Sequence, residues 1–127
     1  MLTGIFDQAN YAAAKRMLDA TTLRHEAIAS NLANVETPGY KRVDLDPSFQ
    51  NSLAAALKAG DRNAISHVSP RVAHDSSAVT VNHDGNNVQL EKEMLALQQN
   101  AMSHAVEAQL ITGSLLKLRL AITGRVG

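Results

Sequence analysis

The 127-residue chain has no cysteine and no tryptophan, and only two phenylalanines and two tyrosines. Without cysteine there is no disulfide framework, no thiolate nucleophile and no zinc–thiolate site. Aromatic side chains bury the largest areas in ordinary cores, so their scarcity points to thin helix-on-helix packing built from alanine and leucine. Charge of one sign is also lacking, since twelve Lys and Arg balance twelve Asp and Glu. A neutral chain has no electrostatic reason to bind nucleic acid, and little self-repulsion to oppose assembly. No apolar run approaches the ~18 residues of a membrane span. The first twenty residues show no basic segment followed by an unbroken apolar stretch, so no cleaved signal peptide is expected. The length suits one domain.

Three zones follow along the chain. From about Ile5 to Asn34, Phe6, Ala9, Ala13, Met17, Ala20, Leu23 and Ala27 recur at the helical period, with no Pro or Gly after Gly4. Thr37-Pro38-Gly39-Tyr40 then forces a stop near Asn34 or Val35. Pro38 bars Thr37 from the α region, and Gly39 supplies the positive φ that a type II turn needs at its third position. The second zone, to about residue 86, is mixed. Within it, Ser52–Ala59 could form a short helix closed by Gly60, and the alternating, β-branched Ala78–Asn82 is the candidate strand, with a turn at Asp84-Gly85.

The third zone carries the most regular pattern. Leu90, Met94, Leu97, Ala101, His104, Ala108, Ile111, Leu115, Leu118 and Ile122 alternate steps of four and three without a slip. That is a coiled-coil seam with one polar member, His104. Asn86 or Asn87 is the candidate cap at its start, and Glu91 and Glu93 complement the positive end of the helix. A second apolar row runs beside it through Leu95, Met102, Val106, Leu110, Leu116 and Leu120. One partner helix cannot cover both rows, so the surplus predicts oligomerisation. The alternative is a monomeric three-helix bundle, for which the middle helix is short at about two turns.

The expected fold is mainly α. Two long terminal helices form an antiparallel coiled-coil hairpin, with an irregular middle segment able to hold a short β-hairpin. The segments are 1–42, 43–86 and 87–127, together one structural domain. Chemistry finds little support. His67, His74 and His83 match no compact ligand spacing, and His25-Glu26 begins an HExxH pattern whose fifth position is Ala29. No phosphate loop or nucleophile elbow occurs, so no metal, cofactor or catalytic residue is expected.

The run Ser30-Asn31-Leu32-Ala33-Asn34-Val35-Glu36-Thr37-Pro38-Gly39-Tyr40-Lys41-Arg42 resembles the N-terminal signature of the bacterial flagellar axial family, the rod and hook proteins. The stretch from Gly85 to Met94 and the close from Leu116 to Ile122 resemble the proximal rod members, with Gln89 where an acid is usual. The resemblance implies a structural subunit of the basal-body rod, a tubular drive shaft in the periplasm, exported by the flagellar type III route without a cleaved signal. It implies as partners copies of the chain, other rod proteins, the rod–ring adaptor, and membrane-ring and export-gate components at the rod base. Asn31, Asn34, Thr37, Pro38, Gly39 and Tyr40 are then the assembly motif, with Tyr40 offered to a neighbouring subunit and Asn31 and Asn34 to the turn or a neighbour. The competing function is a helical-hairpin adaptor or chaperone that binds a partner helix.

Overall fold

A computed structural model describes the backbone of residues 2–124 and the side chains of residues 8–117 and 119–124. The chain runs α1 (Leu2–Ala33), β1 (Val43–Leu45), α2 (Ser48–Ala59), α3 (Arg62–His67), β2 (Val72–His74) and α4 (Leu90–Thr123). The two long helices are the terminal elements, as the periodicity predicts.

α1 stops where Pro38 and Gly39 require. The Asn34 N–H still reaches the Ser30 carbonyl at 3.1 Å, and the Tyr40 N–H closes a four-residue turn on the Thr37 carbonyl at 3.2 Å. Gly39, third in that turn, has a φ of 74°. An L side chain there would have open space around its Cβ, so the glycine is required for its backbone conformation and not for lack of room.

The middle segment is more regular than expected. The short helix is present and closes at Gly60, but it begins at Ser48, and α3 follows it. The sheet is not a hairpin at Ala78–Asn82. It pairs β1 with β2 antiparallel, Val43 opposite His74 and Leu45 opposite Val72, with α2 and α3 lying between the strands in sequence. Strands of three residues are too short to leave a periodic signal. Ala78–Asn82, the better strand by composition, has no ladder partner among the described residues.

The core explains why α2 and α3 form. Ala9, Ala13 and Ala20 of α1 bury against Phe49, Leu53 and Ala56 of α2 and Ile65 of α3. Small side chains on α1 let the short helices approach closely, and Phe49 fills the space. Helices this short are marginal alone and are held by such packing. The remaining row positions divide: Ala27 is buried, Leu23 half-buried, Met17 exposed, and Phe6 lies outside the described side chains.

α4 packs antiparallel along α1. Asn31 meets Glu93 near one end, and Thr21 meets Asn100, His104 and Glu107 further along.

Candidate functional site

The signature residues and the stretch before α4 form one interlocking site. It is built on Asn31, which is 0 % exposed in the last turns of α1. Its Nδ2 donates to the Val43 carbonyl at 2.8 Å, and its Oδ1 accepts the Val43 N–H at 2.9 Å. The amide thus occupies the free edge of β1 as a neighbouring strand would. Asn31 also accepts from the Tyr40 hydroxyl and donates to Glu93. Tyr40 lies 3.0 Å from Ser30 Oγ as well, so its polar tip is engaged within the chain.

Asn86 closes the other half. It is 0 % exposed, and its Nδ2 donates to the carbonyls of Asn34, Val35 and Thr37 at 2.8, 3.1 and 2.9 Å. Those carbonyls face the end of α1, where helices leave acceptors without intrahelical donors. Its Oδ1 accepts the Val88 N–H. Around it the backbones interlace: Gly39 N–H donates to the Asp84 carbonyl at 2.8 Å, and Asn87 N–H to the Tyr40 carbonyl at 3.2 Å. Lys41 Nζ donates to the Gly85 carbonyl, and Arg42 N–H to Asn87 Oδ1. Gly85, at φ 85°, sits against the backbone of Gly39. Asn86 and Asn87 therefore do not cap α4, whose first turn begins after Gln89 without a side-chain cap. They grip the N-terminal segment instead. The Thr37 hydroxyl donates to Asn34 Oδ1 and Asn34 Nδ2 to the Ser30 carbonyl, while Thr37, Pro38 and Gly39 form an exposed tip.

Arg42 completes the site as a charged hub. Its guanidinium meets Glu93 at 2.6 Å, Asp44 at 3.2 Å and Asp75, and Arg24 adds a second cation on Asp44. Burial works to lower the Arg42 pKa, but the hydrogen bonds to Glu93 and Asp75 and the attraction of Glu93 and Asp44 outweigh it and hold it raised. Glu93 is 1 % exposed, so this cation neutralises a charge with almost no access to water.

The expected seam does not face α1. Leu90, Met94, Ala101, His104, Leu115 and Ile122 are exposed, Leu97, Ala108 and Ile111 are half-buried, and Leu118 lies outside the described side chains. The second row is mostly exposed too, with Met102 at 71 %. The buried residues of α4 are Glu93, Ala96, Asn100 and Glu107. The helix turns polar and small residues inward and apolar ones outward. One signal could have found this face, because Glu93, Asn100 and Glu107 stand seven apart.

In the middle of the contact, the Thr21 hydroxyl donates to Glu107 Oε2 at 2.8 Å, and His104 Nδ1 lies 3.1 Å from Thr21 Oγ1. Asn100 Nδ2 donates to the Thr21 carbonyl. Burial pushes the Glu107 carboxyl above its ordinary range, against the lowering effect of the Thr21 hydroxyl and of His104. Folding therefore favours the protonated acid. The stability this group contributes is fully present below its unfolded pKa and is lost as pH rises through the raised folded one. Glu107→Gln removes the titration and keeps an acceptor for Thr21. The variant should melt above the parent at neutral pH, with the gap closing in acid. A gap independent of pH in thermal scans would contradict this.

The histidines set aside above stay apart: His67 bonds the Asn63 carbonyl, His74 lies in β2, and His83 is exposed. Among the described residues no group of three or more His, Asp or Glu could hold a metal ion, and no helix is long and apolar enough to cross a membrane.

Comparison with known proteins gives a consistent result. The sequence model of the family described as flagella basal body rod protein matches residues 12–41, from α1 through the turn. Flagellar basal body rod protein FlgB of Borreliella burgdorferi is 33% identical over 107 residues, 70% of this chain and 77% of that protein. The FlgB of Borrelia hermsii is 34% identical over 109 residues, 73% and 80% of the two chains. That of Aquifex aeolicus is 30% identical over 115 residues, 87% and 90%.

Proposed function

The chain belongs to the flagellar basal body rod proteins named FlgB, a structural family of the bacterial flagellum and not an enzyme family, and from that premise we propose how it serves the rod. Residues 1–42, 43–86 and 87–127 act as one rigid unit. The outward rows of α4 pack knobs-into-holes, in coiled-coil fashion, against helices of neighbouring subunits. Repeated head-to-tail, such contacts carry a screw component and build an open tube able to transmit torque. The neighbours are copies of the chain and other rod proteins, with the rod–ring adaptor and membrane-ring and export-gate components at the base. The subunit reaches the periplasm by the flagellar export route without losing a signal peptide.

The observation that carries this is the inverted α4. Leu95, Met102, Val106, Leu110 and Leu116 are exposed on a helix whose buried face holds two glutamates and an asparagine. A monomer gains nothing from that distribution, whereas a subunit whose outer face becomes an interface does. The signature turn supports assembly indirectly, by fixing the angle at which α1 and α4 are presented.

The test is Met102→Glu with Leu110→Glu in a motile bacterium carrying only this copy. Both sites are exposed, so unfolding of the purified chain should change by no more than about 0.5 kcal/mol. Swimming should be lost and rods absent from isolated basal bodies. Normal motility in cells expressing the double variant would refute the α4 assignment.

A further inference from the structure

The two edges of the small sheet are treated differently. On β1, three of the four outward backbone groups are taken by side chains, both of those of Val43 by Asn31 and the Leu45 N–H by Asp44 Oδ1. On β2, no side chain among the described residues takes the outward groups in this way. The ladder bonds from Asp46 N–H to the Arg71 carbonyl and from Asp75 N–H to the Arg42 carbonyl make Val43–His74 and Leu45–Val72 the non-hydrogen-bonded pairs. In such pairs the N–H and C=O of each residue point away from the partner strand. Val72 and His74 therefore direct four ladder groups outward, and all three residues of β2 are exposed. Open edges of this kind are a template for another strand.

The same chain holds a segment of strand-like sequence that joins no ladder among the described residues. Ala78–Asn82 alternates β-branched residues, and Val79 is 82 % exposed with Val81 also exposed. Among the described residues the Val81 N–H has no backbone partner, and the Val79 N–H makes only a local bond to the Ser77 carbonyl at 3.0 Å, which a strand pairing would replace. The segment is also kept from its own β2. Asp75 and Ser77 wind the intervening residues into a turn through two bonds to Asp75 Oδ1. Asn87 Nδ2 holds the Ala78 carbonyl, and Asn82 N–H donates to the Asn86 carbonyl.

We propose that the outer edge of β2 takes residues 78–82 of a second copy of this chain as a third, antiparallel strand. Thr80 lies opposite Ala73 in that register. Val79 and Val81 then fall on the face of Val72, Val43 and Leu45. Val81 pairs with Val72, and the exposed Asp84 that follows the strand comes to the same end as the exposed Arg71 beside β2. This contact is separate from the one assigned to α4.

The absence of native cysteine makes the test direct. Ala73→Cys and Thr80→Cys are prepared as separate full-length chains, mixed in concentrated solution and oxidised. Facing residues of a non-hydrogen-bonded pair lie within disulfide reach. A mixed disulfide dimer is expected, and Val81→Pro on the Thr80→Cys chain should abolish it, because proline removes the N–H that pairs with Val72 while leaving the helical signal of the monomer unchanged. The cross-link should persist in chains that carry Met102→Glu and Leu110→Glu. No mixed disulfide, or one indifferent to Val81→Pro, overturns the proposal and leaves α4 assembly standing. So does an intrachain disulfide in the dilute double variant A73C/T80C, which would mean that the segment closes on its own β2.

Discussion

Asn86→Ala should lower the unfolding free energy of the purified chain by about 3 kcal/mol, read as a fall in the urea midpoint without a change in slope. The side chain is fully buried, donates to three carbonyls beyond the end of α1 and accepts the Val88 N–H. Leaving a buried polar group unpaired costs ~1–3 kcal/mol each. The total stays below the full sum because the Asn34 and Thr37 carbonyls keep the backbone N–H donors of Thr37 and Tyr40. Asn86→Asp separates donor from shape. It is nearly isosteric, but it removes the donor and turns a carboxylate toward three carbonyl oxygens, so it should cost at least as much as alanine. Asn34→Ala is the control: its bonds are local, and its loss should stay near 1 kcal/mol. If Asn86→Asp unfolds like the parent, the side chain is not the donor described.

Arg42→Met should have the second large effect, a loss of about 3–5 kcal/mol, because it leaves the Glu93 carboxylate buried without its cation. The cost lies in the abandoned charge and not in the bond. Removing that charge as well, in Arg42→Met with Glu93→Met, should recover most of the stability, since apolar replacements of buried pairs are often neutral. The Arg42→Met loss should also exceed that of Arg24→Met, whose partner Asp44 keeps Arg42. Urea unfolding of the four chains in the double-mutant cycle measures the coupling. Single and double variants of equal stability would show that Glu93 does not depend on Arg42.

These two residues also mark where the sequence stops being readable. The end of α1 was legible because Pro38 and Gly39 act on their own backbone. The long helices were legible because each carries a periodic pattern over many turns. Asn86 and Asn87 invite interpretation as helix caps, since a sequence offers only near neighbours as partners, yet their partners lie around residues 34–42 and at Ala78. The strands at Val43–Leu45 and Val72–His74 are three residues each and owe their pairing to Asn31 and Arg42. The face of α4 escapes a reading of the sequence for the same reason. Apolar residues every three or four positions suggest a seam toward α1, and only Asn31, Arg42 and Thr21 make a face of Glu93, Asn100 and Glu107 tolerable there. Of the six signature residues, Asn31 and Tyr40 are engaged inside the chain, and the tip at Thr37 to Gly39 is left to the surface.

The interlock between the signature turn and residues 84–87 bears on how the chain reaches its fold. Its two halves lie far apart in sequence, so the end of α1 lacks its Asn86 donor until most of the polypeptide has been made. Closing so long a loop costs entropy before any of these bonds can form. Contacts of such separation slow folding relative to helical proteins of local topology. A nascent or truncated chain ending before Asn86 would hold α1 packed on α2 and α3, but without its clasp and without α4. The clasp and the docking of α4 are thus the late steps, added to an α1–α2–α3 core whose residues all precede them.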